Sequence, residues 1–273
     1  MPRLLAPSLF LKRIAEGMHD DSLCRVTRAG IIEILMIEAF GLSDPGCVRS
    51  NNEDYFISDT QSGIFVLADG MGGANAGEYA SRLSAEMIYE SLLNASDRDG
   101  LETLQRSFVE ANRAVREAAR TSPQLDGMGT TLLVARAGSD GQMQVASVGD
   151  SRAYISSNHE FSLITQDQTW VAEVGSRLGL TDEALRKHPM RHVLTMAVGT
   201  ADELRVHSHT LHLNAGDQIL LCSDGLHGVL DEKILQTTLD SEKSLPDKCH
   251  YLVEAAKQKG GPDNITVVLI QAM

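Results

Sequence analysis

The sequence predicts an α+β domain. Its strand-like runs fall in groups before and after a pair of amphipathic helices rather than alternating with them, which disfavours a doubly wound parallel sheet. The 273 residues contain no internal repeat, low-complexity tract or proline-rich linker, so a single domain is expected. With 42% hydrophobic and 22% charged residues, the composition suits a globular core and excludes a disordered or fibrous chain.

Residues 1–30 are expected to form a poorly ordered extension to a domain spanning 31–273. Arg3, Lys12 and Arg13 surround Leu4, Leu5, Leu9, Phe10 and Leu11. The charges end the apolar run and no small-residue cleavage pattern follows, which argues against a secretory signal. Strands are expected at Ile32 to Phe40, Tyr55 to Ile57 and Ile64 to Ala68, short apolar runs parted by Ser, Asp, Asn and Gly. Two helices follow. Ala76, Ala80, Leu83 and Met87 share one face, and Leu101, Leu104, Phe108, Ala111, Val115 and Ala118 repeat the spacing. Strands resume at Thr130 to Ala137, Gln142 to Val148, Arg152 to Ile155, Leu204 to Leu213, Gln218 to Cys222 and Ile265 to Gln271, with helices expected over Gln168 to Leu178 and Leu252 to Lys257. The polar stretch from Gln166 to Ala201, between two strand groups, is a candidate insertion.

The formal net charge is −13, from 24 Lys and Arg against 37 Asp and Glu. A field of that sign repels phosphate backbones, so no nucleic-acid partner is expected, and it attracts cations. The apolar stretch from Gly30 to Leu42 is broken by Glu33 and Glu38 and falls short of the roughly 20 residues that cross a bilayer, so no membrane partner is expected. Four cysteines without a Cys-x-x-Cys pair fit a reducing, cytoplasmic setting.

Aspartates at the ends of apolar runs are the most informative feature. Ile64 to Gly70 and Gln218 to Gly225 share one plan, a buried strand that terminates in Asp-Gly (Asp69-Gly70 and Asp224-Gly225). A strand buried on both faces has no place for a carboxylate, whereas its end can present one at the rim of the core. Glycine there permits a sharp turn or a close backbone approach. Asp150 joins two strand patterns, Asp263 precedes the terminal strand, and Glu53-Asp54 precedes the strand at Tyr55. Any one Asp-Gly is an ordinary turn. Several strand-end carboxylates together repel one another unless a cation neutralises them, and an all-oxygen set suits Mg²⁺ or Mn²⁺ rather than zinc. His207 and His209 share a strand face and form either a metal pair or, more in keeping with their type, solvent-facing polar positions.

Several short motifs fall in the order seen in metal-dependent protein phosphatases of the type 2C (PPM) family, which the chain resembles from about Phe40 onward. They are Ser43-Asp44-x-Gly46-x-Val48-Arg49-x-x-Asn52-Glu53-Asp54, Ala68-Asp69-Gly70-Met71-Gly72-Gly73, Gly129-Thr130-Thr131, Gly149-Asp150-Ser151-Arg152, Ser223-Asp224-Gly225-Leu226 and Gly261-Pro262-Asp263-Asn264-Ile265-Thr266. Asp-Gly-Met-Gly-Gly resembles the bacterial branch. The resemblance implies a central antiparallel β-sandwich flanked by helices, in α-β-β-α layers, with a flap at 166–201 and a binuclear Mn²⁺ or Mg²⁺ site at one end. It implies that Asp54, Asp69, Asp224 and Asp263 hold the two ions, helped by the Gly70 carbonyl and by Glu53 through water. Asp150 would join Asp224 at a weaker third site, and Arg49 would receive the substrate phosphate as a planar two-pronged donor. The implied reaction hydrolyses phosphoserine and phosphothreonine on proteins without a covalent intermediate. The partners are then phosphorylated proteins, with a Ser/Thr kinase as functional opponent, and the family's default state is a monomer. Ser151 and Ser223 are read as turn hydroxyls rather than nucleophiles.

Two positions depart from the family's pattern. Met71 stands where eukaryotic members often carry histidine, which leaves protonation of the leaving group to water on the metals. Gln168 stands where many bacterial members have histidine at the start of the flap, whose likeness continues through His188-Pro189-x-Arg191-x-Val193-Leu194-Thr195. A small-phosphoester hydrolase and a non-catalytic phosphoprotein-binding module remain the alternatives. Intact carboxylates speak against the second, because unpaired clustered charges cost stability.

Overall fold

The structure, a computed structural model, describes residues 36–72, 76–95, 100–138, 141–181, 184–185 and 188–273. The expected extension at 1–30 lies outside the described residues. Ile34–Met273 forms one compact unit.

Two antiparallel sheets face each other. The first has the order β1 (Ile37–Asp44), β11 (Ile265–Ala272), β10 (Gln218–Cys222), β7 (Arg152–Ser157), β8 (Glu160–Leu163). The second runs β2 (Asp54–Asp59), β3 (Ile64–Met71), β5 (Leu132–Ala137), β6 (Gln142–Val148), β9 (His207–His212), with the two-residue β4 (Gly129–Thr130) on the end of β3. Side chains alternate across each strand. Phe65 and Leu67 of β3 meet Ile219, Leu221, Val268 and Ile270 between the sheets. Their neighbours Val66 and Ala68 face α1 (Ala76–Leu93) and α2 (Leu101–Thr121), and Leu220, Val267 and Leu269 face α3 (Asp224–His227), α4 (Glu232–Leu239) and α5 (Leu245–Gln258). Four layers, α-β-β-α, result. The central strands are buried on both faces, which is why they read as unbroken apolar runs.

The expected helical stripes are core: Leu104, Phe108, Ala111 and Val115 are fully buried. The helix expected at Leu252 to Lys257 is the second half of α5. It starts earlier because the Ser244 hydroxyl accepts the Asp247 N–H at 3.3 Å and Pro246 needs no donor partner there. The first strand runs on to Asp44, paired with β11 throughout, and the part of its expected range at 32–35 lies outside the described residues. The helix expected over Gln168 to Leu178 does not form as such. Val171–Gly175 widens into a π turn, Ser176–Leu178 tightens into a 3-10 turn, and Gly179 at φ +70° ends the segment. No described helix is long and apolar enough to cross a membrane.

Candidate active site

The strand ends bring the acidic residues together. Asp54, the first residue of β2, pairs across the ladder with Asp69 of β3. Asp150 sits in the β6–β7 turn, Asp224 opens α3 directly after β10, and Asp263 stands just before β11. Glu53, Asp69, Asp150, Asp224 and Asp263 line one cleft of about 930 Å³, with Gly70 and Arg49 on its wall. Asp54 lies beneath, 7% exposed.

Glycine is required at two of these places because backbones touch. A Cβ at Gly70 would strike the carbonyls of Gly77 and Glu53, and one at Gly225 would strike the carbonyl of Asn264. Hydroxyls and one side-chain amide hold the backbone and one of the carboxylates in place. The Ser223 hydroxyl donates to Asp54 Oδ2 at 2.8 Å and accepts the Thr266 N–H at 3.0 Å, so it is a carboxylate partner and not merely the turn hydroxyl expected. Ser151 fits the expected role better, its hydroxyl 2.7 Å from that of Thr131. Thr131 also donates its N–H to the Asp69 carbonyl (2.8 Å) and accepts the Asp69 N–H on its hydroxyl (3.0 Å), which accounts for the Gly-Thr-Thr motif. Asn264 donates to the carbonyls of Pro45 and Asn51 and accepts the Glu53 N–H, tying the Arg49 loop to the Asp263 corner.

Burial and mutual repulsion set the electrostatics. Burial first, then Asp224 and Asp263, push Asp54 up to about 7, against the pull of its hydroxyl partners. Burial, then Asp224 and Asp167, push Asp150 up to about 8. Asp69 is raised by the same causes, burial foremost, with Asp54 and Asp224 next. Burial opposes ionisation of Asp224 as well, but His192 and His227 outweigh it and keep this carboxylate below its usual range.

Asp54 Oδ1 is buried without a hydrogen-bond partner. A buried carboxylate oxygen is costly when unpaired, and a hard divalent cation satisfies it together with the repulsion around it. The donor set, all oxygen, fits Mn²⁺ or Mg²⁺. Among the described residues no three Asp, Glu, His or Cys side chains are already closed around one point. The carboxylates stand along the cleft walls instead, and one of them has a cation of its own. Arg49 Nη2 is 2.8 Å from Asp263 Oδ2, with the arginine side chain 51% exposed at the cleft mouth. That pair raises the Arg49 pKa further, so the guanidinium stays charged.

The protein phosphatase 2C family model matches residues 48–269, a span that contains all of these side chains. The chain belongs to the protein phosphatase 2C family. It is 33% identical over 239 residues to the serine/threonine phosphatase Stp of Listeria monocytogenes, covering 84% of this chain and 93% of that one. The S. agalactiae serine/threonine phosphatase structure has a TM-score of 0.81 at 32% identity, over 87% of this chain and 100% of that chain. The catalytic domain of the serine/threonine protein phosphatase PstP, solved with two manganese ions, has a TM-score of 0.77 at 33% identity, over 88% and 99%.

In this 2C phosphatase the segment expected as a flap borders the cleft through Arg191, His192, Val193 and Leu194. Its two arms are joined by Trp170 N–H to Val193 O (2.8 Å) and Thr195 N–H to Gln168 O (2.8 Å), and Trp170 stacks on His188 at 4.6 Å. Gln168 is buried at the root. Its Oε1 accepts the Gly149 N–H (2.8 Å) and its Nε2 donates to Arg205 O (2.7 Å), one acceptor and one donor, as a neutral histidine also offers. Sequence reasoning missed His192, whose Nδ1 lies 3.7 Å from Asp224 Oδ2, and His227, which bonds the Asp150 carbonyl. Neither has a local signal. His207 and His209 lie on the edge strand β9, the latter exposed.

Proposed function

We propose that this phosphatase hydrolyses phosphoserine and phosphothreonine esters of proteins in the carboxylate-lined cleft, opposing a Ser/Thr kinase in the cytoplasm, and that it works as a monomer. The activity class is that of a metal-dependent serine/threonine protein phosphatase. Asp54, Asp69, Asp224 and Asp263 would hold two Mn²⁺ or Mg²⁺ ions, with the Gly70 carbonyl and Glu53 assisting, and Asp150 with Asp224 a third, weaker one. When bound, such a pair of ions activates water for attack on phosphorus and offsets the charge that develops on the phosphoryl oxygens. The chain supplies the rest. Arg49, half in solvent, exchanges Asp263 for two phosphate oxygens, a geometry its planar fork suits. Ser223 orients the Asp54 carboxylate and Thr131 the Asp69 backbone, so these two ligands are held in place by the chain itself. In the overall step the P–O ester bond breaks, water oxygen bonds to phosphorus, and the seryl or threonyl oxygen takes up a proton; Met71, beside Gly70, has none to give.

The partnerless Asp54 Oδ1 beneath five further carboxylates carries this reading. The test is release of phosphate from a phosphothreonine peptide. A chelator should abolish it, Mn²⁺ or Mg²⁺ should restore it, and D69N should stay inactive at metal levels that saturate the wild type. Full activity in excess chelator refutes the reading. A much higher kcat/KM on free phosphoesters than on phosphopeptides would move the substrate from proteins to small molecules.

A further inference from the structure

The turn Gly149-Asp150-Ser151 is held from several sides. Gly149 exchanges hydrogen bonds with Gln168 (N–H to Oε1, 2.8 Å; O from the Gln168 N–H, 3.0 Å), and Ser151 is bound to Thr131. The bond that reaches it from α3 comes from His227, whose Nε2 is 2.9 Å from the Asp150 carbonyl oxygen. A carbonyl only accepts, so Nε2 carries the proton and donates. Asp224 and His227 stand three residues apart on α3 and therefore on one face, so the residue that reaches back to Asp150 rides on the same turn of helix as the Asp224 carboxylate.

We propose that His227 is a positioning residue: its Nε2–H, bonded to the Asp150 carbonyl, fixes the spacing between the Asp150 and Asp224 carboxylates and so sets the affinity of the additional divalent ion they share. The inference rests on the reading of Asp150 and Asp224 given above. Groups that orient metal ligands are commonly worth about 10- to 100-fold in metal affinity. Gln, whose Nε2–H donor reaches about as far as the imidazole, should preserve the tether. Phe keeps the ring and loses the donor, and Asn carries its donor too short.

Mn²⁺ binding to the full chain, followed calorimetrically and by the electron-spin signal of free Mn²⁺, tests this. H227F and H227N should each weaken the weakest class of sites by about 10-fold or more, leave the tighter class in place, and leave KM for phosphopeptide at saturating Mn²⁺ unchanged, whereas H227Q stays near the wild type. D150N should remove the weak class. If D150N removes it while H227F and H227N bind like the wild type, the positioning role is wrong and the reading of Asp150 survives. Equal losses in H227Q and H227F would show that ring packing matters and the donor does not. A D150N protein with every class intact overturns the reading of Asp150 and the inference with it.

Discussion

Replacing Ser223 with alanine removes one oxygen that serves two buried groups. Asp54 Oδ2 loses its 2.8 Å donor, and the Thr266 N–H loses its 3.0 Å acceptor at the start of β11. Ser223 and Thr266 are wholly buried and Asp54 is nearly so, which leaves solvent little room to substitute. A hydrogen bond to an ionised group contributes about 1.5–3 kcal/mol, and a backbone N–H left unsatisfied costs about 1–3 kcal/mol. S223A should therefore lose about 3 kcal/mol at pH 8, with a ceiling near 6. For a domain of this size each kcal/mol corresponds to about 2–4 °C, so the melting temperature should drop by about 6–12 °C. Differential scanning fluorimetry in saturating Mn²⁺ measures it. The Mn²⁺ concentration for half-maximal activity should rise as well, since Asp54 is no longer oriented. An S223A protein that melts within about 2 °C of the wild type, with an unchanged Mn²⁺ requirement, would refute this account of Asp54.

R49A should raise KM for phosphopeptide, at a cost on the order of 2–4 kcal/mol in transition-state stabilisation. Its melting temperature should hardly move, because an exposed ion pair such as Arg49–Asp263 is worth about 1 kcal/mol at most; unchanged steady-state kinetics would dismiss Arg49 as the phosphate group. Without ions, Asp54 and Asp150 bind protons more tightly folded (about 7 and about 8) than at the ordinary value of 3.8. Stability from that source is complete below about pH 4 and lost as pH rises through about 7 to 8. Metal-free protein should thus melt lower at pH 8 than at pH 6, and the rise on adding Mn²⁺ should be larger at pH 8; equal Mn²⁺ increments at both would contradict the linkage. A chain starting at Ile31 should keep its activity and melting temperature, whereas one starting at Leu42 loses the pairing of Ile37 to Gly41 with Val268 to Ala272 and should aggregate. Soluble, active protein from the shorter chain would show that β1 is dispensable.

The carboxylate ring was legible in the sequence because burial on both faces leaves a distinct mark. Ile64 to Ala68 and Ile219 to Cys222 are apolar without alternation, so the Asp-Gly after each stands out as a rim. Elements with one weak face left no such mark. β8, Glu160–Leu163, is a short edge strand with mostly exposed side chains, and α4 carries only Leu235, Thr238 and Leu239 into the core. The supports of the site were illegible for another reason. Ser223 meets Asp54 across 169 residues and His227 meets Asp150 across 77, and no local spacing encodes such contacts. The stretch from Gln168 to Leu178 turned on a subtler point: its apolar spacing resembles a helix, but Gly175 and Gly179 interrupt it.

Asp69, Asp224 and Asp263 hang from β3, β10 and β11, each of which is hydrogen-bonded to a neighbour on both edges. Local fluctuations release edge strands and loops first, and amides of such doubly paired strands exchange with solvent only in the rarest openings. The backbone positions that carry the three carboxylates therefore stay close together while the domain stays folded. If these carboxylates hold the ions as proposed, an arriving cation would find their backbone already ordered and would have only side-chain rotations left to fix. Exchange of an ion held there would then need movement of the ion, its water and the side chains at the cleft mouth, and no breathing of the sandwich below.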